Sequence, residues 1–184
     1  MNNLLSPGMA ASWEASLAFH GHSCPGLALG CRVAVDALAR MDMDRPSKDE
    51  ELVCVAETDS CAVDAIQAIA GCTLGKGNLL LRMRGKHAFS FYQRNGKGSF
   101  RILWRAAQKH DMPRAERAFY YLSAPASELY TLSEVCKPLP AQALLSPSLA
   151  CALCGEMTSE PYIRLRDGQP QCLDCHVTAS RVLR

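Results

Sequence analysis

Four cysteines near the carboxyl end restrict the fold of this chain more than any other feature. Cys151 and Cys154 form one C-x2-C pair, Cys172 and Cys175 form a second, and seventeen residues separate the pairs. This spacing is typical of a zinc ribbon, in which each pair forms a tight turn and four thiolates bind one tetrahedral Zn²⁺. Four thiolates leave no open coordination position. We therefore predict that this zinc is structural and that any chemistry lies elsewhere.

Two other interpretations explain less of this cysteine pattern. The run CLDCH, residues 172–176, also matches the attachment signature of a c-type haem, but haem would leave the first pair unexplained. Redox-active C-x-x-C pairs usually occur singly, at a helix start in a βαβ context. Zinc is therefore the favoured cofactor of this segment, and Gly155 supplies the backbone freedom that the first turn needs.

The cysteine segment is too short to build a hydrophobic core and needs the metal to fold. In a chain of 184 residues, one domain of ordinary size can precede it. Residues 137–150 contain three prolines and few charges, as expected for a joint between domains. We predict a core domain over residues 1–147 and a zinc-ribbon domain over residues 148–184.

Composition indicates a globular protein of the cytoplasm. The apolar fraction of 48% and the charged fraction of 21% differ from those of disordered and membrane-spanning chains. The first nineteen residues contain no basic region before their apolar stretch, which also includes Glu14, so they do not match a secretory signal. In such a protein, metal binding explains ten cysteines better than disulfides do.

Local patterns before residue 137 predict an α+β core. The predicted helices cover residues 13–18, 25–40, 61–70, 112–122 and 125–136. The predicted strands cover residues 51–57 and 79–83. Residues 86–105 alternate as a β-hairpin whose turn lies near Asn95, Gly96 and Gly98. One face of this hairpin is apolar and the other is rich in Arg and Lys.

A second group of metal-ligand residues lies in the run FHGHSCPG, residues 19–26. In an extended segment the side chains of His20, His22 and Cys24 would all lie on one side. Pro25 favours a helix start at this point, and the amides of a helix N-terminus would stabilise a Cys24 thiolate. Histidines and cysteines are often merely packed, but three such residues within five positions favour a metal or catalytic site.

Cys61 or Cys72 could supply one further ligand to this site. An unbroken helix would separate their sulfurs by roughly 16 Å along its axis, too far to share one ion. We favour Cys61, because it begins its helix and would share the lowered pKa expected of Cys24. Cys31 and Cys54 are expected in the core. The predicted core site therefore has three metal ligands and one reactive thiolate: the ligands are His20, His22 and Cys61, and the thiolate is that of Cys24.

Two other segments could bind anions. The run GCTLGKG, residues 71–77, resembles a phosphate-binding loop but lacks one residue between its glycines and the Ser or Thr that binds magnesium, which disfavours nucleotide hydrolysis. Residues 82–117 contain ten Lys or Arg against two acidic residues. This basic segment could contact an acidic partner, form a solvated face or join two subunits. Residues 151–184 contain four Arg and four acidic residues, which disfavours nucleic-acid binding by the ribbon.

A family resemblance is carried by three runs, FHGHSCPGLALGCR, ETDSCAVDAIQAIAGCTLGKGNL and RGKHAFSFY. They are similar to the core of the family named for the E subunit of formylmethanofuran dehydrogenase, and the ribbon resembles a zinc finger that some members append. The resemblance implies an α+β core, a closely interwoven homodimer and a metal-binding centre in that core. It does not imply dehydrogenase activity, because this chain lacks the clustered ferredoxin cysteines that hold iron–sulfur clusters.

These observations support three functional hypotheses. The preferred one is a cytoplasmic homodimer with zinc or another divalent metal in its core and a ribbon that contacts a protein partner. The alternative is a metal-dependent enzyme that acts on a small C1-type substrate, with Cys24 as its reactive thiolate. The third is nucleic-acid binding or transcriptional regulation through the zinc finger, for which only the basic hairpin offers support.

Overall fold

The computed structural model describes residues 5–44, 46–94, 96, 98–105 and 112–177. The chain divides into two compact units, Met1–Ala143 and Leu144–Arg184. This division lies within the proline-containing stretch, so that residues 137–143 belong to the core unit rather than to a linker. The core unit combines helices with one sheet, which confirms the predicted α+β class.

Two consecutive helices open the core unit. Helix α1 spans Pro7–His20, and helix α2 spans Pro25–Arg40 as predicted. Ser6 caps α1 by accepting the N–H of Met9 at 3.3 Å. The helix ends at Gly21, whose left-handed φ of +88° turns the chain towards α2. Among the described residues, no helix has both the length and the apolar character needed to cross a membrane.

The remaining elements of the core unit build a five-stranded sheet and its helical cover. The strands are β1 (Leu52–Ala56), β2 (Leu79–Leu81), β3 (Ala88–Gln93), β4 (Ser99–Trp104) and β5 (Tyr130–Ser133). The helices are α3 (Ala62–Ala65), which continues as a π-helical turn over Ile66–Ala70, α4 (Arg114–Ser123) and α5 (Ala126–Leu129). The spatial order is β2-β1-β3-β4-β5, in which β1 and β2 are parallel and the other neighbours are antiparallel.

The predicted helix over residues 125–136 is wrong. Only one helical turn, α5, forms there, and the chain then extends as β5. Tyr130 and Leu132 pair with Trp104 and Ile102 on β4, and the aromatic and branched side chains of YTLS fit such a pleated, half-buried edge. Tertiary pairing therefore overrides the helical pattern of this segment.

The two faces of the sheet have different environments. Phe89, Phe91 and Ile102 are buried in one cluster with residues of the helices. Ser90 on β3 and Arg101 on β4 alternate with them and lie opposite each other in the β3–β4 register. The predicted hairpin and its apolar face are thereby confirmed, whereas Arg101 is the only basic residue that β3 and β4 place on the other face. Of its predicted turn residues, Asn95 lies outside the described part of the chain.

Helices α2 and α3 approach each other so closely that only glycine fits between them. A Cβ atom at Gly30 would overlap the backbone of Ala62. Gly26, one turn earlier in α2, faces the side chain of Cys61, to which a Cβ would lie 3.3 Å away. This approach brings the start of α3 next to the start of α2 and so places Cys61 beside Cys24.

The ribbon unit consists of two short antiparallel pairs. Strand β6 (Ser148–Ala150) pairs with β7 (Met157–Ser159), and β8 (Ile163–Arg166) pairs with β9 (Gln169–Cys172). Gly155 has a φ of +78°, and its N–H donates to the carbonyl of Cys151 at 2.9 Å. The first C-x2-C pair therefore forms the tight turn expected from its glycine.

We predict that Gly30→Ala destabilises the core unit by about 1–3 kcal/mol, because the added methyl overlaps the backbone of Ala62. Gly8→Ala is the matched control, since Gly8 also lies in a helix but a Cβ there meets no atom within 4 Å. Urea denaturation followed by circular dichroism measures both variants. Equal stability of the two would show that α2 and α3 can separate without cost.

Candidate metal centres

The four ribbon cysteines converge on one point. One ligand atom from each of Cys151, Cys154, Cys172 and Cys175 lies within 4.8 Å of all the others. The Sγ atoms of Cys154 and Cys172 are 3.9 Å apart, close to the ~3.8 Å that ~2.3 Å bonds around a tetrahedral Zn²⁺ require. Both pairs contribute to this one group, as a zinc ribbon requires, whereas a haem or a redox pair would use one pair alone.

Electrostatics within this ribbon cluster favour a bound cation. Backbone N–H groups, including that of Cys172 at 3.4 Å from the Cys151 sulfur, lower the pKa of the Cys151 thiol to about 6. The neighbouring Cys172 and Cys154 raise the pKa of Cys175 to about 12. Several thiolates so close together repel one another without a metal. A divalent cation would relieve this repulsion and allow all four to ionise.

The core unit contains a second cluster of possible ligands. One ligand atom from each of His20, His22 and Cys24 lies within 4.8 Å of the others, and the two imidazole centroids are 4.4 Å apart. The segment is not extended, however, because His20 is the last residue of α1 and Gly21 is left-handed. A helix end followed by a sharp turn brings the three side chains together.

Cys24 is the N-cap of α2. Its sulfur accepts the N–H of Leu27 at 3.3 Å and lies 3.9 Å from Nε2 of His20. The residue is only 4% exposed, whereas His22 is exposed. A sulfur that accepts an amide N–H and faces an imidazole nitrogen is placed to bind a metal, and the side of the cluster nearest His22 is open to solvent.

Asp64, which sequence reasoning missed, orients one of these histidines. Its Oδ2 lies 2.7 Å from Nδ1 of His20. A proton on Nδ1 would then be donated to the carboxylate, which leaves Nε2, the nitrogen nearest Cys24, free to bind a cation. Asp64 follows Cys61 by three residues, so that helical spacing could have placed both side chains on one face.

Cys61 lies beside the core cluster rather than inside the three-residue group. A Cβ on Gly26 would contact the sulfurs of both Cys61 and Cys24, at 3.8 and 3.9 Å. The lowered pKa that we expected of Cys61 is wrong: burial and the neighbouring Cys24 raise the pKa of its thiol. Cys61 makes no side-chain capping bond to α3, so it lacks the N-cap hydrogen bond that Cys24 accepts in α2.

The other cysteines of the sheet and helix α2 are core residues. Cys31 and Cys54 are fully buried, as predicted, and so is Cys72. Burial raises the pKa of Cys72 to about 12, and its thiol donates to the carbonyl of Leu52 at 3.4 Å. Cys72 therefore packs under β1 as a neutral thiol, away from the histidines.

The glycine-containing run 71–77 is a structural loop. It follows a helix and precedes strand β2, the reverse of the strand-to-helix order of a phosphate-binding loop. Nζ of Lys76 donates to the carbonyl of Ser47 at 2.8 Å. This lysine fastens the loop to the chain before β1, and nucleotide hydrolysis has no support from this segment.

Comparison with known proteins shows that the segment containing the core cluster matches a protein family. Residues 19–136, more than half of the chain, match the family described as FmdE, molybdenum formylmethanofuran dehydrogenase operon. The chain belongs to the FmdE family. The matched segment contains the whole core cluster and ends before the ribbon, so the resemblance stated from the three sequence runs is confirmed.

Two proteins illustrate how far this FmdE likeness extends. A probable S-adenosyl-L-methionine-binding protein of Archaeoglobus fulgidus is 31% identical over 115 residues, which cover 61% of this chain. The alignment covers 29% of that relative, so this chain spans less than a third of its length. A crystal structure of a tungsten formylmethanofuran dehydrogenase FmdE-like protein from Syntrophus aciditrophicus superposes with a TM-score of 0.64 at 23% identity and covers 91% of each chain. This likeness shows a shared fold.

We predict that Asp64→Ala weakens metal binding at the core cluster roughly 10–100-fold, because His20 loses the carboxylate that orients its ring. Asp59→Ala is the matched control, since Asp59 is an exposed carboxylate in the adjoining loop. Competition with a chromophoric chelator measures the affinity of each protein. Equal affinities in the wild type and both variants would exclude this positioning role.

Proposed function

We propose that this FmdE-family protein binds a divalent metal, such as zinc, in its core through His20, His22 and Cys24. Cys61 is the proposed fourth ligand, although its thiol must first ionise. The proposal is carried by one observation, the convergence of two imidazoles and a buried cysteine sulfur within 4.8 Å. Imidazole and thiolate ligands suit zinc and other borderline cations.

The same proposal assigns a structural zinc to Cys151, Cys154, Cys172 and Cys175. Their mutual distances and the opposed pKa shifts of Cys151 and Cys175 support a closed four-thiolate site. The metal would hold the two strand pairs together, because most large side chains of this unit are exposed and form little core. The exposed large apolar side chains of the described residues in this unit are Leu144, Leu145, Leu149, Leu153, Met157, Tyr162, Leu165, Leu173 and Val177.

These exposed side chains also support a partner-binding role for the ribbon. We propose that the ribbon contacts another protein through them, because apolar side chains that are exposed in such number often mark an interaction surface. A homodimer of the core unit and a cytoplasmic location are parts of the same proposal and rest on the sequence alone.

A metal-dependent enzyme is the second candidate function. The observation that favours it is the exposure of His22 beside the buried Cys24. Three protein ligands with a solvent-facing fourth position are typical of catalytic zinc, which activates a bound water. The role of Cys61 distinguishes the two candidate functions. If Cys61 is a ligand, the metal has four protein ligands and the site is closed. If Cys61 is a neutral thiol beside the site, one coordination position stays open for water. In either case Cys24 is a metal ligand in this proposal, and its predicted catalytic role stays a prediction.

We predict two tightly bound zinc ions per chain. Cys24→Ser combined with His20→Ala should leave one ion, in the ribbon, because two of the three core ligands are lost. Cys154→Ser combined with Cys175→Ser should leave the other ion, in the core. Elemental analysis of purified protein after dialysis measures the stoichiometry. Cys136→Ser is the matched control, since this cysteine is exposed and outside both clusters. One ion in the wild type, lost only with the ribbon cysteines, would refute the core site.

We predict that Cys61→Ser decreases the thiolate-to-metal charge-transfer absorption of the cobalt-loaded protein, because one sulfur ligand is removed. Cys72→Ala is the control for loss of a buried thiol that lies outside the ligand cluster. An unchanged spectrum of Cys61→Ser would instead support the site with an open position and hence the enzyme hypothesis.

A further inference from the structure

A cavity lies on the sheet face opposite the one that packs against the helices. Its volume is about 730 Å³, within the ~300–1,000 Å³ range of small-molecule sites. The floor is formed by outward-facing strand residues, among them Val55, Ser90 and Tyr92. Neither cluster of metal ligands contributes to its lining. The lining charges are those of Arg82, Arg84, Lys86, Arg101, Lys137 and Glu57.

Positive charge dominates this cavity. Five of its lining side chains are basic and one is acidic. Nε of Arg101 lies 2.9 Å from Oε1 of Glu57, so the charges of these two side chains neutralise each other. The Arg101 hydrogen bond and the charges of Lys86 and Arg82 hold the pKa of Glu57 below its usual range. Within the described residues, the side chains of Arg82 and Lys86 form no hydrogen bond or ion pair at contact distance.

Backbone hydrogen bonds hold the basic wall of the cavity in place. The N–H of Arg82 donates to the carbonyl of Ala56 at 2.8 Å. The N–H groups of Arg84 and Lys86 both donate to the carbonyl of Glu57 at 3.1 Å. The backbone of three cationic residues is therefore fastened to the end of β1, and all three line the cavity, so that binding needs to order only their side chains.

The opposite wall is a strap segment, residues 137–143. Tyr92 donates from its hydroxyl to the carbonyl of Lys137 at 3.3 Å. The guanidinium of Arg94 donates to the carbonyls of Pro140 and Ala141 at 2.8 and 3.1 Å. The Glu50 carboxylate accepts from Nη2 of Arg94 at 2.7 Å and from the N–H of Ala143 at 3.0 Å. The strap is thus anchored along its length and presents two prolines, residues 138 and 140, to the cavity.

We propose that this cavity binds a small phosphorylated molecule with an apolar or aromatic part. The phosphate groups contact Arg82, Arg84, Lys86 and Lys137, and the apolar part lies between Val55, Leu80 and the prolines of the strap. Guanidinium groups bind phosphate oxygens in pairs and lysine adds a mobile positive charge. A ligand with a single negative charge would leave most of these cations uncompensated.

The shape of the cavity favours a compact ligand over a nucleic-acid strand. The strap closes one side, whereas strand binding usually requires a groove that tracks the backbone past several phosphates. The basic segment that the sequence singled out therefore contributes Arg82, Arg84, Lys86 and Arg101 to a walled site. The site is separate from the proposed metal ligands of the core unit, since none of them lines the cavity.

The test uses the metal-loaded full-length chain at constant ionic strength. Pyrophosphate and adenosine diphosphate are the probes, adenosine is the uncharged counterpart, and calorimetry measures binding. The wild type should bind both anions and not adenosine. Arg82→Gln combined with Lys86→Gln should weaken anion binding roughly tenfold or more. Both side chains are exposed, so this cavity variant should fold as the wild type does.

Lys48→Gln combined with Arg166→Gln is the matched control, because it removes two exposed charges outside the cavity. This control should bind both anions as the wild type does. Absence of anion binding, or equal binding by the cavity variant, would overturn the proposal. Binding of duplex DNA through Arg82 and Lys86, without binding of the small anions, would also overturn it. So would dissociation of a dimer by the Arg82→Gln and Lys86→Gln substitutions without a change in anion affinity. The metal content of every variant is measured in parallel, so that failure of this site and failure of the metal site are distinguished.

Discussion

The contact between Gly30 of α2 and the backbone of Ala62 at the start of α3 determines the architecture of the core site. No side chain larger than hydrogen fits at this point, and the approach draws the first turns of the two helices together. Cys24 caps one helix, whereas Cys61 and Asp64 belong to the beginning of the other. The carboxylate that orients His20 can reach it only because the helices meet here. The close packing of the two helix backbones therefore positions the side chains of the core cluster.

The two cysteine-containing clusters differ in how much hydrophobic core surrounds them. In the ribbon, four cysteine sulfurs lie close together in a unit with little core, and thiolates at such distances repel one another. In the core unit, the cluster lies against a hydrophobic core that already specifies its geometry. The geometry of the second cluster therefore depends on the packing of the core unit, whereas the first cluster has little core to support it.

The two faces of the sheet have different surroundings, because the helices pack against only one of them. One face packs Phe89, Phe91 and Ile102 against the helices, and the other carries Arg101, Ser90 and Tyr92. The strap covers part of this second face through hydrogen bonds from Arg94 and Tyr92. It therefore converts an open sheet face into a walled cavity, and it also explains why the core unit continues through residue 143.

The sequence by itself determined the spacing of the ribbon cysteines, the α+β class and the apolar face of the hairpin, because ligand spacing and residue alternation are local properties of the chain. It also identified His20, His22 and Cys24. Only the tertiary structure decided that residues 130–133 extend along β4, that Asp64 supports His20, and that Cys61 is a raised-pKa neighbour of Cys24. These outcomes depend on contacts between residues that are distant in the sequence, such as His20 and Asp64, which are 44 positions apart. Such contacts depend on packing and burial in three dimensions, and a local sequence pattern cannot predict them.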